Sequence, residues 1–117
     1  MTVTDADTAE TIGSGEVPVL ATPRVVALME AATVAAVAGR LDATQTTVGT
    51  RVDVDHHAPT VVGAKVVAEA RLSSVEGRKL GFDVVLREGT AVTAQGRIDR
   101  VVVDRERFLA KASAKTA

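Results

Sequence analysis

The stretch "LATPRVVALMEAATVAAVAGR", Leu20 to Arg40, predicts a long helix on which the rest of the fold is built. Thr22 is suited to cap this helix, Pro23 to begin it and Gly39 to end it. Its apolar residues recur at helical spacing and leave little polar surface, so we expect the helix to be buried on most sides. These apolar residues are Val25, Val26, Leu28, Met29, Ala32, Ala35, Ala36 and Val37.

The chain after this helix alternates apolar with polar residues, which is typical of β-strands. A first strand is predicted in "VGTRVDVDHHAPT", with Val48, Thr50, Val52, Val54 and His56 on one face. The turns "EGRK" and "REGT" separate three further strands, and "DRERFLAKA" predicts a short amphipathic helix at the end. One long helix followed by an antiparallel meander predicts an α+β fold in which a curved sheet wraps the helix.

Length and composition limit what the protein can be. Its 117 residues suggest one domain, which we place at residues 17–117, after a weakly ordered segment 1–16 with one short strand near "TAETIG". The absence of cysteine excludes disulfides, thiolate metal sites and cysteine nucleophiles. Fourteen Lys and Arg against fifteen Asp and Glu, without a basic run, argue against a nucleic-acid partner. With neither a signal peptide nor a membrane span in the sequence, we expect a cytoplasmic protein without a membrane partner.

Three ionisable residues fall on faces that are otherwise apolar. Glu30 lies within the apolar helix, His56 on the valine face of the first strand, and Arg100 between Ile98 and Val102 on the last strand. Burying a charge costs free energy unless the charge is paired or used. Three such residues in a small domain therefore suggest a functional site.

Each of these residues also has a structural explanation when it is taken alone. His56 can be a satisfied core histidine or the end of its strand, and Glu30 with Arg100 can form a buried ion bridge without chemistry. Thr22 is first of all a helix cap, and His57 on the polar face is expected to be solvated. A metal site is disfavoured, because neighbouring histidines in a strand diverge and no set of three ligands converges.

Five segments of the chain, in this order and spacing, resemble the fluoroacetyl-CoA thioesterase family of single-domain hot dog proteins. They are "ATPRVVALMEAA", "TVGTRVDVDHHAPT", "SVEGRKLGFDVVLREG", "GRIDRVVVD" and "RFLAKASAKT". The resemblance runs from about Leu20 to Thr116 and implies an acyl-CoA thioesterase that works as a homodimer. It further implies that Thr22, Glu30 and His56 are catalytic and that Gly49 and Arg100 contact substrate.

The resemblance also sets the chemistry that we expect. Thioester hydrolysis suits His56 as general base and the Gly49 N–H as donor to the acyl oxygen, with CoA entering only as part of the substrate and no other cofactor or metal. Glu30 can orient His56, steer water or attack the carbonyl itself. The acyl group stays open, with fluoroacetyl-CoA among the candidates.

Two further questions stay open at this stage. The alternatives to a thioesterase are a hot dog enoyl-CoA hydratase or dehydratase and a non-catalytic acyl-CoA binding protein. Arg51, Arg78 and Lys79 are candidates for the nucleotide phosphates, although "EGRK" is equally well explained as a plain hairpin turn.

Overall fold

The computed structural model describes residues 1–115, so Thr116 and the predicted end of the domain at residue 117 lie outside the described residues. Four strands, β1 (Gln45–His56), β2 (Val67–Glu76), β3 (Lys79–Glu88) and β4 (Ala91–Asp104), form one antiparallel sheet. Their order is β1-β4-β3-β2, which leaves β1 and β2 as the two edges. The α+β architecture of one long helix and an antiparallel sheet is therefore confirmed. The predicted meander holds only for β2, β3 and β4, because β1 pairs with β4 and not with β2. In chain order the elements are a 3₁₀-helix at Asp5–Asp7, α1 (Ala9–Ile12), α2 (Thr22–Ala36), β1 (Gln45–His56), β2 (Val67–Glu76), β3 (Lys79–Glu88), β4 (Ala91–Asp104) and α3 (Arg105–Ala114).

Helix α2 packs on one face of this sheet through residues spaced four apart. Val25, Met29 and Thr33 are buried against the strands, while the opposite side, including Ala31 and Val34, is exposed. The prediction of a helix buried on most sides is therefore wrong for the single chain, because one sheet can cover only one side of a helix. The core that it covers consists of Val3, Leu20, Val25, Met29, Val37, Val66, Leu80, Phe82, Val84, Leu86, Ala94 and Ile98.

The start of α2 differs from the prediction by one residue. Ala21 occupies the cap position with an extended backbone, and Thr22 is the first helical residue. No side chain caps the helix, and Pro23, which lacks an N–H, sits in the first turn where one fewer donor needs a partner. The helix ends at Ala36, before Gly39, which takes a left-handed conformation in the following turn. The Thr22 hydroxyl is thus not used as a cap.

A β-bulge at Thr50 changes which residues of β1 face α2. Gly49 and Arg51 pair with consecutive residues of β4, so Thr50 has no partner in the ladder. From Arg51 to His56 the predicted alternation holds. Before the bulge it is reversed, because the extra residue moves every earlier side chain to the other face. Thr47 and Gly49 therefore lie on the helix side, and the predicted placing of Val48 and Thr50 there is wrong.

Glycine at position 96 of β4 leaves space for the main chain of the neighbouring strand β1. Gly96 pairs with Val54 on the inner side of the sheet, and a Cβ built at Gly96 would collide with the backbone oxygen of Asp53. Only a residue without a side chain fits between the two main chains. A side chain at position 96 would therefore push β1 and β4 apart at this point.

The amino-terminal residues contain a helix where a short strand was predicted, and the weak order expected of residues 1–16 stays a prediction. The sequence "TAETIG" forms α1, whose first turn is capped by the Thr8 side chain. Val3 is 1% exposed and its N–H donates to the Ala64 carbonyl at 2.9 Å. A buried valine, a helix cap and backbone hydrogen bonds pack this segment, and none of them leaves a periodic pattern in the sequence. The single-domain organisation of residues 17–117 stays a prediction.

Helix α3 at the end of β4 agrees with the predicted amphipathic helix. The Asp104 side chain caps it by accepting from the Arg107 N–H at 3.1 Å, and the Arg105 N–H donates to the Thr44 carbonyl at 3.0 Å. None of its residues is buried. Among residues 1–115, no helix has both the length and the hydropathy needed to cross a membrane.

Candidate functional site

Thr22 and His56, which we call the His56 pair, meet where the start of α2 lies beside the end of β1. The Thr22 Oγ1 lies 2.8 Å from the His56 Nδ1, which is hydrogen-bond distance. The hydroxyl can donate to a bare Nδ1 or accept from a protonated one, so the contact is compatible with both neutral tautomers. In the second case the lone pair of Nε2 is the one left for proton transfer.

The surroundings of His56 favour a neutral imidazole. Burial is the largest influence and lowers the pKa of His56 below its ordinary value of 6.5. The Ala58 backbone opposes this shift in pKa, and the neighbouring His57 adds to it. A histidine with a lowered pKa is mostly unprotonated at pH 7 and can therefore accept a proton.

The other ring nitrogen of His56 has no partner within residues 1–115. Nε2 is shielded from solvent and forms no hydrogen bond there. A buried polar atom without a partner is costly, so a partner from outside the chain, such as water, substrate or a second subunit, would stabilise it.

A cavity of about 310 Å³ opens at the His56 pair. No aromatic ring other than the two imidazoles contributes to its wall. The cavity is lined by residues from α1, from the connection to α2 and from the end of β1, namely Ala9, Ser14, Gly15, Val17, Val19, Leu20, Thr22, His56, His57, Ala58 and Pro59.

A second group of polar residues, the Glu30 cluster, consists of Glu30, Thr47, Gly49 and Arg100. Arg100 is only 6% exposed, and its Nη1 lies 3.3 Å from the Glu30 Oε2. Its Nε donates to the Thr47 Oγ1 and its Nη2 to the Thr47 carbonyl, both at 2.9 Å. The buried cation is thus compensated by one carboxylate and two further oxygens, as a buried charge requires.

Gly49 gives the Glu30 carboxylate access to the backbone of β1. A Cβ at this position would lie 2.8 Å from the Glu30 Oε2 and 3.5 Å from the Arg100 Nη1. The φ angle of Gly49 is not positive, so the site needs a glycine for space and not for conformation. The predicted close approach to Gly49 is therefore made here by the carboxylate of Glu30.

The two groups lie apart within one chain. Thr22 and Glu30 are eight residues apart on α2, or about 12 Å of helical rise. Ala94 and Arg100, the β4 partners of His56 and Gly49, are six residues apart, or about 20 Å along the strand. The single chain thus joins Thr22 to His56 and Glu30 to Gly49 and Arg100, but it does not bring all five predicted residues around one point.

One member of the Glu30 cluster, Thr47, was not predicted. It is buried and binds Arg100 through both its hydroxyl and its carbonyl. Strict alternation along β1 places Thr47 on the polar face, and only the bulge at Thr50 reverses this. No sequence signal at Thr50 reveals the bulge.

A cavity of about 420 Å³, larger than the one at the His56 pair, has Arg100 of the Glu30 cluster in its wall but does not include Glu30, Thr47 or Gly49. It lies mainly on the outer face of the sheet, where Lys79 and Arg97 contribute to its wall. Arg97 is already engaged there, because it donates to Asp99 and to the Ser74 hydroxyl at 2.9 Å each. Cavity size alone therefore does not identify the site. Within residues 1–115, no three His, Asp or Glu side chains are grouped to hold a metal ion.

Comparison with known proteins gives one consistent result. The sequence model of the FlK family, described as fluoroacetyl-CoA-specific thioesterase, matches residues 3–106. A fluoroacetyl-CoA thioesterase from Streptantibioticus cattleyicolor is 40% identical over 98 residues, which make up 84% of this chain and 70% of that protein.

Solved structures agree with the sequence comparison. The fluoroacetyl-CoA thioesterase FlK superposes with a TM-score of 0.92 at 35% identity, covering 100% of this chain and 91% of the other. A hot-dog-like protein from Thermanaerovibrio acidaminovorans gives a TM-score of 0.91 at 21% identity over 100% of this chain and 87% of its own, which bears on the fold alone. The hot dog fold is thereby confirmed.

Proposed function

Because this chain belongs to the fluoroacetyl-CoA-specific thioesterase family, we propose that it hydrolyses a small acyl-CoA thioester to the free acid and CoA. The observation that carries this proposal is the 2.8 Å contact between the Thr22 hydroxyl and the Nδ1 of a histidine whose pKa is lowered by burial. That contact fixes the orientation of the ring and leaves Nε2 as the nitrogen for proton transfer.

His56 acts as general base in the proposed reaction. Its Nδ1–H donates to Thr22, and its Nε2 takes a proton from water as the water oxygen bonds to the thioester carbon. The C–S bond then breaks, and CoA leaves as a thiolate that accepts the proton held by the imidazolium. The sum is thioester plus water to carboxylic acid plus thiol, with no cofactor beyond the CoA of the substrate.

In the proposed reaction the Glu30 cluster binds the acyl group of the substrate. We assign to the Gly49 N–H the stabilisation of the acyl oxygen, and the interruption of the β1–β4 ladder at Thr50 supports a free donor nearby. Arg100 contacts this end of the substrate and holds Glu30 in place. Glu30 steers the water or attacks the carbonyl, since the Thr22 hydroxyl already contacts the Nδ1 that an orienting group would bind.

A homodimer would unite the two groups into one site. β1 is an edge strand, and Val52, which is 42% exposed, lies midway between Gly49 and His56. Two β1 edges paired antiparallel about Val52 would place the partner subunit's His56 near Gly49 of the first chain. The exposed apolar side of α2 offers further surface for the partner. We therefore propose that each dimer has two sites, each built from the His56 pair of one subunit and the Glu30 cluster of the other.

The aromatic content of the chain supports a permissive acyl site. Phe82 is buried in the core and Phe108 lies on α3, so neither ring lines the cavity at the His56 pair. Without a ring that contacts the acyl group, acetyl-CoA and fluoroacetyl-CoA are both expected to be hydrolysed. The cytoplasmic location expected from the sequence stays a prediction that cell fractionation can test.

Thiol release from a panel of acetyl-, fluoroacetyl-, propionyl- and crotonyl-CoA tests the function. We expect release with the wild-type protein and a fall of about 10²–10⁴-fold in His56→Ala. Asp55→Ala is the matched control, because Asp55 is exposed on the other face of β1.

Three results would contradict the proposal. Unchanged release by His56→Ala would remove His56 from the chemistry. Loss of crotonyl-CoA absorbance without thiol release would indicate a hydratase. Binding of acyl-CoA without turnover of any panel member would indicate a binding protein.

A further inference from the structure

Helix α3 and the turn between β2 and β3 enclose a small pocket that the proposed chemistry does not use. Its volume is about 190 Å³. We call it the α3 pocket. Its wall consists of Arg78, Val103, Asp104, Arg107, Phe108 and Lys111.

The α3 pocket carries an excess of uncompensated positive charge. Three of its residues, Arg78, Arg107 and Lys111, are cations, and none of them forms an ion pair within residues 1–115. The one carboxylate, Asp104, is engaged as the cap of α3. In contrast, Arg24, Arg71, Arg87, Arg97 and Arg100 all pair with carboxylates. The surface of the pocket itself is mostly apolar, and the charged ends of the three cations have no carboxylate partner, so they are free to bind anionic groups of a ligand seated there.

The same pocket presents an aromatic ring. Phe108 is 41% exposed, whereas Phe82, the other aromatic residue of the chain, is in the core. An exposed ring beside several cations matches a ligand that combines a flat heteroaromatic base with phosphates, because the ring can stack on the base while the cations bind the phosphates.

We propose that the α3 pocket binds the nucleotide end of CoA, with the adenine on Phe108 and the phosphates on Arg78, Arg107 and Lys111. This proposal rests on the proposed acyl-CoA substrate. Val103 lies three residues beyond Arg100 on β4, or about 10 Å along the strand, so the pocket is at the same end of the sheet as the Glu30 cluster. The extended pantetheine arm of CoA can then join the nucleotide to the reacting carbonyl.

The test compares two substrates that share an acyl group. Acetyl-CoA carries the nucleotide, and acetyl-pantetheine lacks it. For Arg78→Gln and for the double variant Arg107→Gln/Lys111→Gln, we expect KM for acetyl-CoA to rise roughly tenfold with kcat unchanged, and KM for acetyl-pantetheine to stay the same. Phe108→Ala should act in the same direction.

Lys65→Gln is the matched control for charge. Lys65 is exposed, forms no ion pair within residues 1–115, and precedes β2 at the opposite end of the sheet. Equal KM values for acetyl-CoA in the wild type and the pocket variants would overturn the proposal. A rise in KM for acetyl-pantetheine as large as that for acetyl-CoA would also overturn it.

Calorimetric titration with free CoA separates this proposal from the proposed function. The pocket variants should bind CoA roughly tenfold more weakly than the wild type, whether or not the wild type releases thiol from any ester. Unchanged affinity for CoA, including a case in which only binding of an acidic carrier protein is weakened, would count against a nucleotide site.

Discussion

Thr22 shows how the local structural explanation of a residue can be wrong while the residue still lies at the candidate site. The sequence suggests that Thr22 caps the helix, yet Ala21 occupies the cap position and the Thr22 hydroxyl lies against His56. His56 itself follows directly from alternation along β1, because the bulge at Thr50 lies before it. A hydrogen bond between residues 34 positions apart has no local signature, so only the packing of α2 against β1 reveals it.

Removal of the Thr22 hydroxyl should lower activity without unfolding the protein. Thr22→Val keeps the shape of the side chain but deletes the partner of Nδ1, and we expect kcat/KM for an acyl-CoA ester to fall about tenfold. Thr22→Ser retains the hydroxyl and should stay close to wild type. If Val and Ser behaved alike in steady-state assays, the hydroxyl would have no part in holding the ring.

The lowered pKa of His56 makes both activity and stability depend on pH. We expect kcat/KM to be constant at neutral pH and to decline only below pH 6.5, as the folded-state imidazole takes up its proton. Between the folded-state pKa and 6.5 the unfolded chain binds more protons, so the stability contributed by His56 is lost as pH falls through that window. A pH–rate profile measures the effect on activity, and urea unfolding over the same pH range measures the effect on stability. An apparent pKa above 6.5 in an NMR titration of the ring would refute the prediction.

Gly49→Ala should affect function more than stability. The new methyl group would lie 2.8 Å from the Glu30 Oε2, so the carboxylate must move away from β1. We expect about a tenfold loss of kcat/KM and a stability loss below about 1 kcal/mol, since the displaced group is the end of a flexible side chain. Gly89→Ala gives the opposite pattern, because its φ of 60° is strained for alanine while the space around it is open. Urea unfolding and thiol release on both variants distinguish the two patterns.

At the level of elements, β1 combines the largest predictive success with the largest error. The strand itself and the inner position of Val54 and His56 follow from alternation. Alternation places Thr47 and Gly49 on the wrong face, because the bulge inserts one extra residue after them. The alternation of apolar and polar residues predicts the faces of a regular strand, but it does not reveal an inserted residue. Glu30, Gly49 and Arg100 were therefore identified from the sequence, and only Thr47, which the bulge brings to the inner face, was not.

Val52→Lys tests the pairing of two β1 edges. A lysine on an edge strand disfavours pairing with another strand, so we expect a monomer and at least a tenfold loss of activity. Val75→Lys is the control on the other edge strand, β2, where Val75 is 60% exposed. Sedimentation at micromolar concentration beside thiol release reports both outcomes. A Val52→Lys protein that remained dimeric, or was monomeric and fully active, would exclude the shared site.

For the molecule as a whole, the amino-terminal segment contributes more than its composition suggests. Asp7 accepts hydrogen bonds from the Thr4 N–H at 2.8 Å and from the Arg24 Nε at 3.0 Å, so it ties the segment to α2. Single anchoring contacts of this kind leave no periodic pattern, which is why the sequence predicts only weak order there. The sheet and α2, by contrast, are built from periodic residues and were predictable.

Asp7→Asn should destabilise the protein by about 1–2 kcal/mol at pH 7. Hydrogen bonds from the Thr4 backbone, followed by the Arg24 side chain, lower the pKa of Asp7 below its ordinary value of 3.8. A lowered carboxyl pKa adds stability that is fully present above 3.8 and is lost as pH falls through the folded-state pKa. Urea unfolding at pH 7, 5 and 3.5 should show equal differences at the first two values and a smaller one at the third. Asp5→Asn, at an exposed position of the same 3₁₀-helix, is the control.

Gly96 sits on β4 between the partners of His56 and Gly49, where the main chains of β1 and β4 nearly touch. The offset between the proton acceptor and the carboxylate is consequently set by backbone geometry and not by any side chain. A directed search for new acyl preferences could exchange the cavity-lining residues other than Thr22 and His56 while this spacing persists. A methyl group at Gly96, by contrast, would displace the main chain of β1 and so change the distance between His56 and the Glu30 cluster.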